Sequence, residues 1–187
     1  LGMLAELTDG ESRQQILELI GTDSVEALRT QAKAVWNAQY RNDGVTTSIL
    51  ANSLWLDEKI PVVSSALETL ADNYYASSYQ GTMGSRRFNR MLQDWLNEQT
   101  GGLLEKQVRE TTLNEQTILA LISTIYYKAQ WGEKFDEENT LSDTFHALSG
   151  DITCDFMHGY GVETYYGAER FEAVSWKMDN DSGNMWF

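Results

Sequence analysis

Apolar residues in the first hundred positions recur at helical spacing. After Asp23 and Ser24, the residues Val25, Leu28, Ala32, Val35 and Trp36 fall on one stripe. That pattern predicts a helix fading near Asn42-Asp43-Gly44. A second stripe holds Val63, Ala66, Leu67, Leu70, Ala71 and Tyr74, with Pro61 suited to the first turn of its helix. A third begins after Ser85 with Phe88, Met91, Leu92, Trp95 and Leu96, and Gly101-Gly102 closes it. Nearer the start, Thr8 with Glu11 forms a capping box for a short helix to about Ile20, with Gly21 just beyond. The opening Leu1-Gly2-Met3-Leu4-Ala5 reads as the middle of a buried helix.

Two strand-like runs interrupt these helices, at 46–56 and 117–127. The second is uninterrupted and rich in β-branched and aromatic residues. A strand with one wet face alternates, so this run reads as one covered on both faces and central to a large sheet. Beyond Ile152 the pattern changes to short aromatic strands, with turns at Gly159-Tyr160-Gly161 and at 179–183. Helices dominate the first half and strands the second, which predicts an α+β fold rather than a doubly wound parallel sheet.

Composition adds bounds. With 187 residues, 42% hydrophobic and 22% charged, the chain can form an ordinary core, burying about 70% of its unfolded surface. Fourteen basic against 28 acidic residues give a net charge of −14, a field that repels nucleic acid and anionic membranes. The single Cys154 leaves no internal disulfide framework, and no run resembles a signal peptide or membrane span. One proline, where average usage gives about nine, leaves little room for linkers. Residues 1–187 read as one compact unit, and both ends look truncated, the last one in mid-strand at Asn184–Phe187.

Motifs in matching order resemble the serpins, a superfamily of protease inhibitors. Tyr126-Tyr127-Lys128-Ala129 with Trp131 resembles the end of the family's central strand, and Phe135, Thr140 and Phe145 follow at the family's spacing. Leu1 to Leu4 is similar to the end of its buried helix, Arg13 to Leu17 to the short helix after it, and Ala51-Asn52-Ser53-Leu54-Trp55 to an Ala-Asn-x-Leu-aromatic strand. Trp95, Thr100 and Gly102 fit a Trp-x4-Thr-x-Gly signature, and Met157 and 174–186 look like strands of the smaller sheets. Ser123 stands where the family usually has Asn, Gln93 where it has Asn, and Ser175-Trp176-Lys177 replaces its Leu-Pro-Tyr turn.

The resemblance implies a serpin-like α+β fold of helices around a large sheet with smaller antiparallel sheets. It also implies an inhibitor, not an enzyme, whose reactive loop is cut by a serine or cysteine protease and then enters the main sheet as a new strand. The chain then has no catalytic residue, cofactor or metal of its own. Ser123 and Trp131 become candidates for the region where the sheet opens. The loop is expected past Phe187, so these residues alone should not inhibit. The implied partners are the target protease and the remainder of the serpin chain, with no nucleic acid or membrane, in an extracellular setting. A non-inhibitory serpin-like binding protein is the alternative.

Other chemistry reads weakly. Cys154 and His158 share a strand face but lie about 13 Å apart at roughly 3.3 Å per residue, too far for a thiol–imidazole pair. Residues 179–184 resemble the opening of a calcium loop, but its closing Glu would fall past Phe187, so a hairpin turn is the plainer reading. The many Trp and Tyr mostly sit on apolar stripes, which points to packing rather than sugar stacking. Asp136-Glu137-Glu138 and Arg86-Arg87 read as solvated faces. Arg29, Lys33 and Arg41, offset by Asp23 and Glu26, make a poor glycosaminoglycan site.

Overall fold

Three of the six α-helices start where a side chain satisfies a free N–H group. The computed structural model describes residues 1–187, the side chain of Glu163 excepted. Helix α1 is Gly2–Glu6, α2 is Gly10–Ile20 and α3 is Val25–Gln39. Ser24 caps α3 by accepting from Ala27 N at 3.1 Å. At α2 the cap is Asp9, not Thr8: Asp9 accepts from Gly10 N at 2.8 Å, while the Thr8 hydroxyl donates back to Leu4 O at 3.0 Å. Thr8 therefore closes α1 rather than opening α2. Helix α4 is Ser64–Tyr74, so Pro61 precedes it by three residues instead of occupying its first turn. Helix α5 is Arg86–Gln99, capped by Ser85 at Phe88 N, and α6 is Glu105–Val108.

These elements and four strands build the first of two compact units, residues 1–41 and 48–127. Strand β1 is Arg41–Asn42, β2 is Thr47–Asp57, β3 is Ala76–Gly81 and β4 is Leu119–Lys128. β2 pairs with β3 in parallel, Asn52 opposite Ala76 through Asp57 opposite Gly81. β4 pairs with β2 on its own. The bonds Asp57 N to Ile118 O (3.1 Å) and Ser53 Oγ to Ile122 O (3.4 Å) show one index rising as the other falls, so the pair is antiparallel.

Both faces of this sheet are dry at β2. Leu54 and Leu56 pack with Met3, Leu70, Tyr74 and Ala76 on one face. Trp55 packs with Met83 and with Phe88, Leu92 and Trp95 of α5 on the other. β4 follows the same rule over its first half: Leu119 and Leu121 join the first cluster, Ala120 and Ile122 the second. Past Ser123 it does not, and Ile125 is 80% exposed. The continuous apolar run is thus covered on both faces only where helices reach it. Among the described residues it is paired along one edge only, to β2, and the strand that is covered on both faces and paired on both edges is β2.

A buried charge cluster ties α1, α3 and α4 together. The Glu6 carboxylate, 2% exposed, takes a two-pronged bond from Arg29 (Nε to Oε1 2.9 Å, Nη2 to Oε2 2.7 Å) and a third from the Tyr74 hydroxyl at 3.1 Å. Burial first, then the Glu6 charge and this bond, lift the Tyr74 phenol far above its usual range. Gly2 is required beside it, since a Cβ there would lie 2.8 Å from the Tyr74 ring.

The second unit, residues 42–47 and 128–187, is nearly all antiparallel β. Strands β5 (Thr140–Ala147) and β6 (Gly150–Met157) form a hairpin about the two-residue turn Leu148-Ser149. Strands β7 (Val162–Gly167), β8 (Glu172–Lys177) and β9 (Asn184–Trp186) form a three-stranded sheet in that order. The acidic run is the expected turn: Asp136 caps a 3-10 turn, Glu137–Asn139, at Glu138 N. The segment 179–183 is a hairpin turn joining β8 to β9, with Asn180, Asp181 and Gly183 at positive φ. Ser175-Trp176-Lys177 forms strand rather than turn, with Trp176 opposite Val162 of β7 and Met185 of β9.

Arg29→Ala leaves the Glu6 carboxylate buried without its counter-ion and lowers stability by about 3 kcal/mol. Urea unfolding followed by tryptophan fluorescence measures this, and a loss below about 1 kcal/mol overturns it. Tyr74 contributes in full below the ordinary tyrosine pKa of about 10, and that contribution drains away as pH rises toward its higher folded value. Tyr74→Phe therefore loses less stability than the parent above about pH 10.

Candidate functional site

Ser53, Asn52 and Ser123 bind β4 to β2 by side chains in addition to the ladder. Ser53 is wholly buried, accepts from Trp55 Nε1 at 2.9 Å and donates to Ile122 O. One step along, the Ser123 hydroxyl donates to Asn52 Oδ1 at 2.7 Å, and Asn52 Nδ2 donates to Tyr74 O at 2.8 Å. A chain of three residues thus links the margin strand to the end of α4. Ser123 has one donor and spends it toward β2, which leaves no second N–H of the kind an Asn would carry. It faces a cleft of about 350 Å³ lined by Met3, Leu28, Ala32, Trp36 and Tyr74.

Farther along β4, Tyr126 is half-buried against Gly101, where a Cβ would lie 2.7 Å from the ring. Gly101 has φ +59°, so both conformation and space demand glycine. Among the described residues β4 pairs only with β2, and its opposite edge carries no strand.

Trp131 lies in the second unit. An isolated antiparallel bridge joins it to Met178, flanked by Gly132 N to Lys177 O (3.0 Å) and Asp179 N to Gln130 O (2.9 Å). Its ring centroid is 6.0 Å from Phe135, 6.5 Å from Trp176 and 6.1 Å from Phe187. Phe135 and Trp176 are 4.8 Å apart. The mutual edge and tilted contacts place the half-buried Trp131 in an aromatic cluster of this unit. Gly161 is needed beside the cluster, since a Cβ there would clash with the Trp176 indole. Ser123 and Trp131 fall in different units, each held by its own contacts.

No nucleophile–base pair emerges at the thiol. Cys154 is half-buried on β6 opposite Asp143, and His158 follows the strand, its N–H bonded to Asn139 O. Among the described residues no group of three His, Cys, Asp or Glu side chains is arranged to hold a metal, and no helix is long and apolar enough to cross a membrane.

The motifs identified in the sequence occupy consistent places: the first on α1, then α2, β2, the end of α5, β4, and the strands from β6 to β9. The whole chain, residues 1–187, matches the family model described as serpin (serine protease inhibitor). The chain belongs to the serpin family. It resembles Serpin-ZX of Arabidopsis thaliana, 29% identical over 164 residues, covering 84% of this chain and 42% of that one. Antitrypsin of Bombyx mori is 28% identical over 195 residues, covering 97% of this chain and 48% of its own length. Among solved structures, an Arabidopsis serpin in a native stressed conformation matches with TM-score 0.81 at 24% identity, over 96% of this chain and 47% of its own. Emu ovalbumin matches with TM-score 0.83 at 16% identity, over 99% and 53%; at such identities the likeness concerns the fold. The chain spans about half the length of the curated relatives it matches. Its α+β architecture is that of a partial serpin.

Ser123→Ala removes the bond to Asn52 and costs about 1 kcal/mol in urea unfolding. Ser123→Asn, which restores a donor, costs less. Equal stability of parent and Ser123→Ala would overturn the role of this bond.

Proposed function

We propose that these residues supply the main-sheet half of a serpin-type protease inhibitor. The observation that carries the reading is the outer edge of β4: a strand packed on both faces at its start, bonded to β2 along one side, and without a strand partner on the other among the described residues. An extended peptide adding there gains a row of main-chain hydrogen bonds and burial of alternate side chains such as Ile125 and Tyr127. In the inhibitory reaction a target protease of the serine or cysteine class attacks the scissile carbonyl of the reactive loop and becomes acyl-linked to it. The cut loop then enters as the new strand and carries the protease with it.

In this reading Ser123 lies in the region that parts and Trp131 near the point of entry. The two units are parts of one serpin domain. The remainder of the serpin chain supplies the loop and a cover for the exposed apolar residues of the second unit, Leu141, Phe145, Ile152 and Trp186. The protein acts as an inhibitor rather than an enzyme, in an extracellular setting, toward neither nucleic acid nor membrane. The net charge of −14 supports the last point.

A longer chain carrying the reactive loop, mixed with trypsin-like and elastase-like proteases, is expected to give a covalent adduct that survives a denaturing gel. Absence of an adduct with every protease favours the non-inhibitory, serpin-like binding protein. In the same longer chain Trp131→Ala raises spontaneous loop insertion. Truncating an aromatic in a packed cluster costs stability by cavity formation, roughly 3–5 kcal/mol where it is fully buried as Phe88 is, so Phe88→Ala is the control. Equal latency in the two variants sinks the role given to Trp131.

A further inference from the structure

Three of the chain's 14 basic residues, Arg86, Arg87 and Arg90, crowd into five consecutive positions at the start of α5. All three are exposed, and with Met91 and Asp94 they line a cleft of about 310 Å³. Their spacing makes them converge: Arg86 and Arg90 are four apart, Arg87 and Arg90 three apart, so their Cβ atoms lie about 5–6 Å from one another. Arg13, Arg29 and Arg109 each have a carboxylate partner, but none of these three forms an ion pair among the described residues. Nor does the first turn of α5 hold an acidic residue to offset them.

The buried face of α5 is Phe88, Leu92 and Trp95, so the arginines add nothing to the core. Three neighbouring guanidinium groups repel one another, and near the positive end of a helix that repulsion is worse. Of the 28 acidic residues only Asp94, four positions on from Arg90, lines this cleft, so three guanidinium groups face one carboxylate and the lining stays net positive. Arginine offers a planar fork matched to carboxylate, and here three forks face one short cleft.

We propose that this patch binds a short acidic peptide segment of a partner protein, independently of the edge of β4. Arg86, Arg87 and Arg90 take two successive carboxylates, and Met91, 38% exposed, supplies apolar contact beneath them. Asp94 lines the same cleft and repels a further carboxylate, which limits the acidic run. The overall charge of −14 works against a long polyanion that would extend past the patch, so a short peptide fits better than nucleic acid or a sulfated polysaccharide.

The test uses the 187-residue chain and two fluorescein-labelled peptides, Gly-Glu-Glu-Glu-Gly and Gly-Gln-Gln-Gln-Gly, read by anisotropy at low salt. The Glu peptide is expected to bind about tenfold or more tightly than the Gln peptide, with affinity falling as salt rises. The triple variant R86Q/R87Q/R90Q loses about tenfold in affinity for it with an unchanged circular dichroism spectrum. Asp94→Asn, which removes the repelling charge, tightens binding roughly two- to threefold. Equal binding of the two peptides, or unchanged affinity in both variants, overturns the proposal. So does tighter binding of a heparin oligosaccharide or a short single-stranded DNA than of the Glu peptide.

Discussion

The dryness of β2 on both faces governs the first unit. Leu54 and Trp55 are completely buried and point to opposite sides, so neither face of the strand can offer its backbone to water. Each edge must then be satisfied by another strand. β3 takes one edge in parallel through the α4 crossover, and β4 takes the other. Ser53 extends the same logic to side chains, since it accommodates the buried indole N–H of Trp55 and passes a bond on to β4. The open outer edge of β4 is a consequence: it is the first position along the sheet where no described strand meets that demand.

Two polar devices fix elements that apolar packing alone would leave free to slide. Glu6, Arg29 and Tyr74 lock three helices at one point, with every oxygen of the carboxylate engaged. Trp36 does similar work at the edge: its Nε1 donates to Leu50 O at 3.0 Å while its ring stacks on Tyr75 at 3.9 Å. Tyr75 closes α4 in the left-handed conformation at φ 52°, a strained position for a non-glycine residue that this stacking holds in place.

Much of this was readable in the residues, and the failures have physical causes. Strong periodic stripes with Ser caps gave the starts of α3 and α5 to the residue, because capping and burial agreed there, whereas α3 ends at Gln39, short of the expected 42–44, and Arg41–Asn42 is strand. Thr8 and Glu11 satisfied a capping pattern, but a hydroxyl that can reach back to Leu4 O is worth more at the end of α1, and Asp9 was free to take the other role. β3, with Ala76-Ser77-Ser78-Tyr79-Gln80-Gly81, has no apolar run. It is a strand because β2 offers it main-chain partners, a tertiary cause with no local signature. Of the hairpin of β5 and β6 only the end of β6, past Ile152, was legible, because its two-residue turn Leu148-Ser149 lacks the Asn-Gly or Asp-Gly signal that marks such turns. Cys154 and His158 were legible as a pair too weak for catalysis. The bond from Ser123 to Asn52 was not legible at all, since it joins positions 71 residues apart.

The run 117–127 shows most plainly how far composition reaches. Apolar content reports how many faces of a strand are meant to be dry, but not how many of its edges are paired. Leu119 to Ile122 meet helices on both sides, whereas Ile125, equally apolar, is 80% exposed. Burying a side chain of that kind is worth about 2 kcal/mol, so its exposure is a standing free-energy deficit located beside an unpaired row of backbone groups. The hairpin of β5 and β6 carries a similar deficit on the face shared by Leu141, Phe145 and Ile152. Contiguous exposed apolar surfaces of this kind mark places where another segment or partner packs.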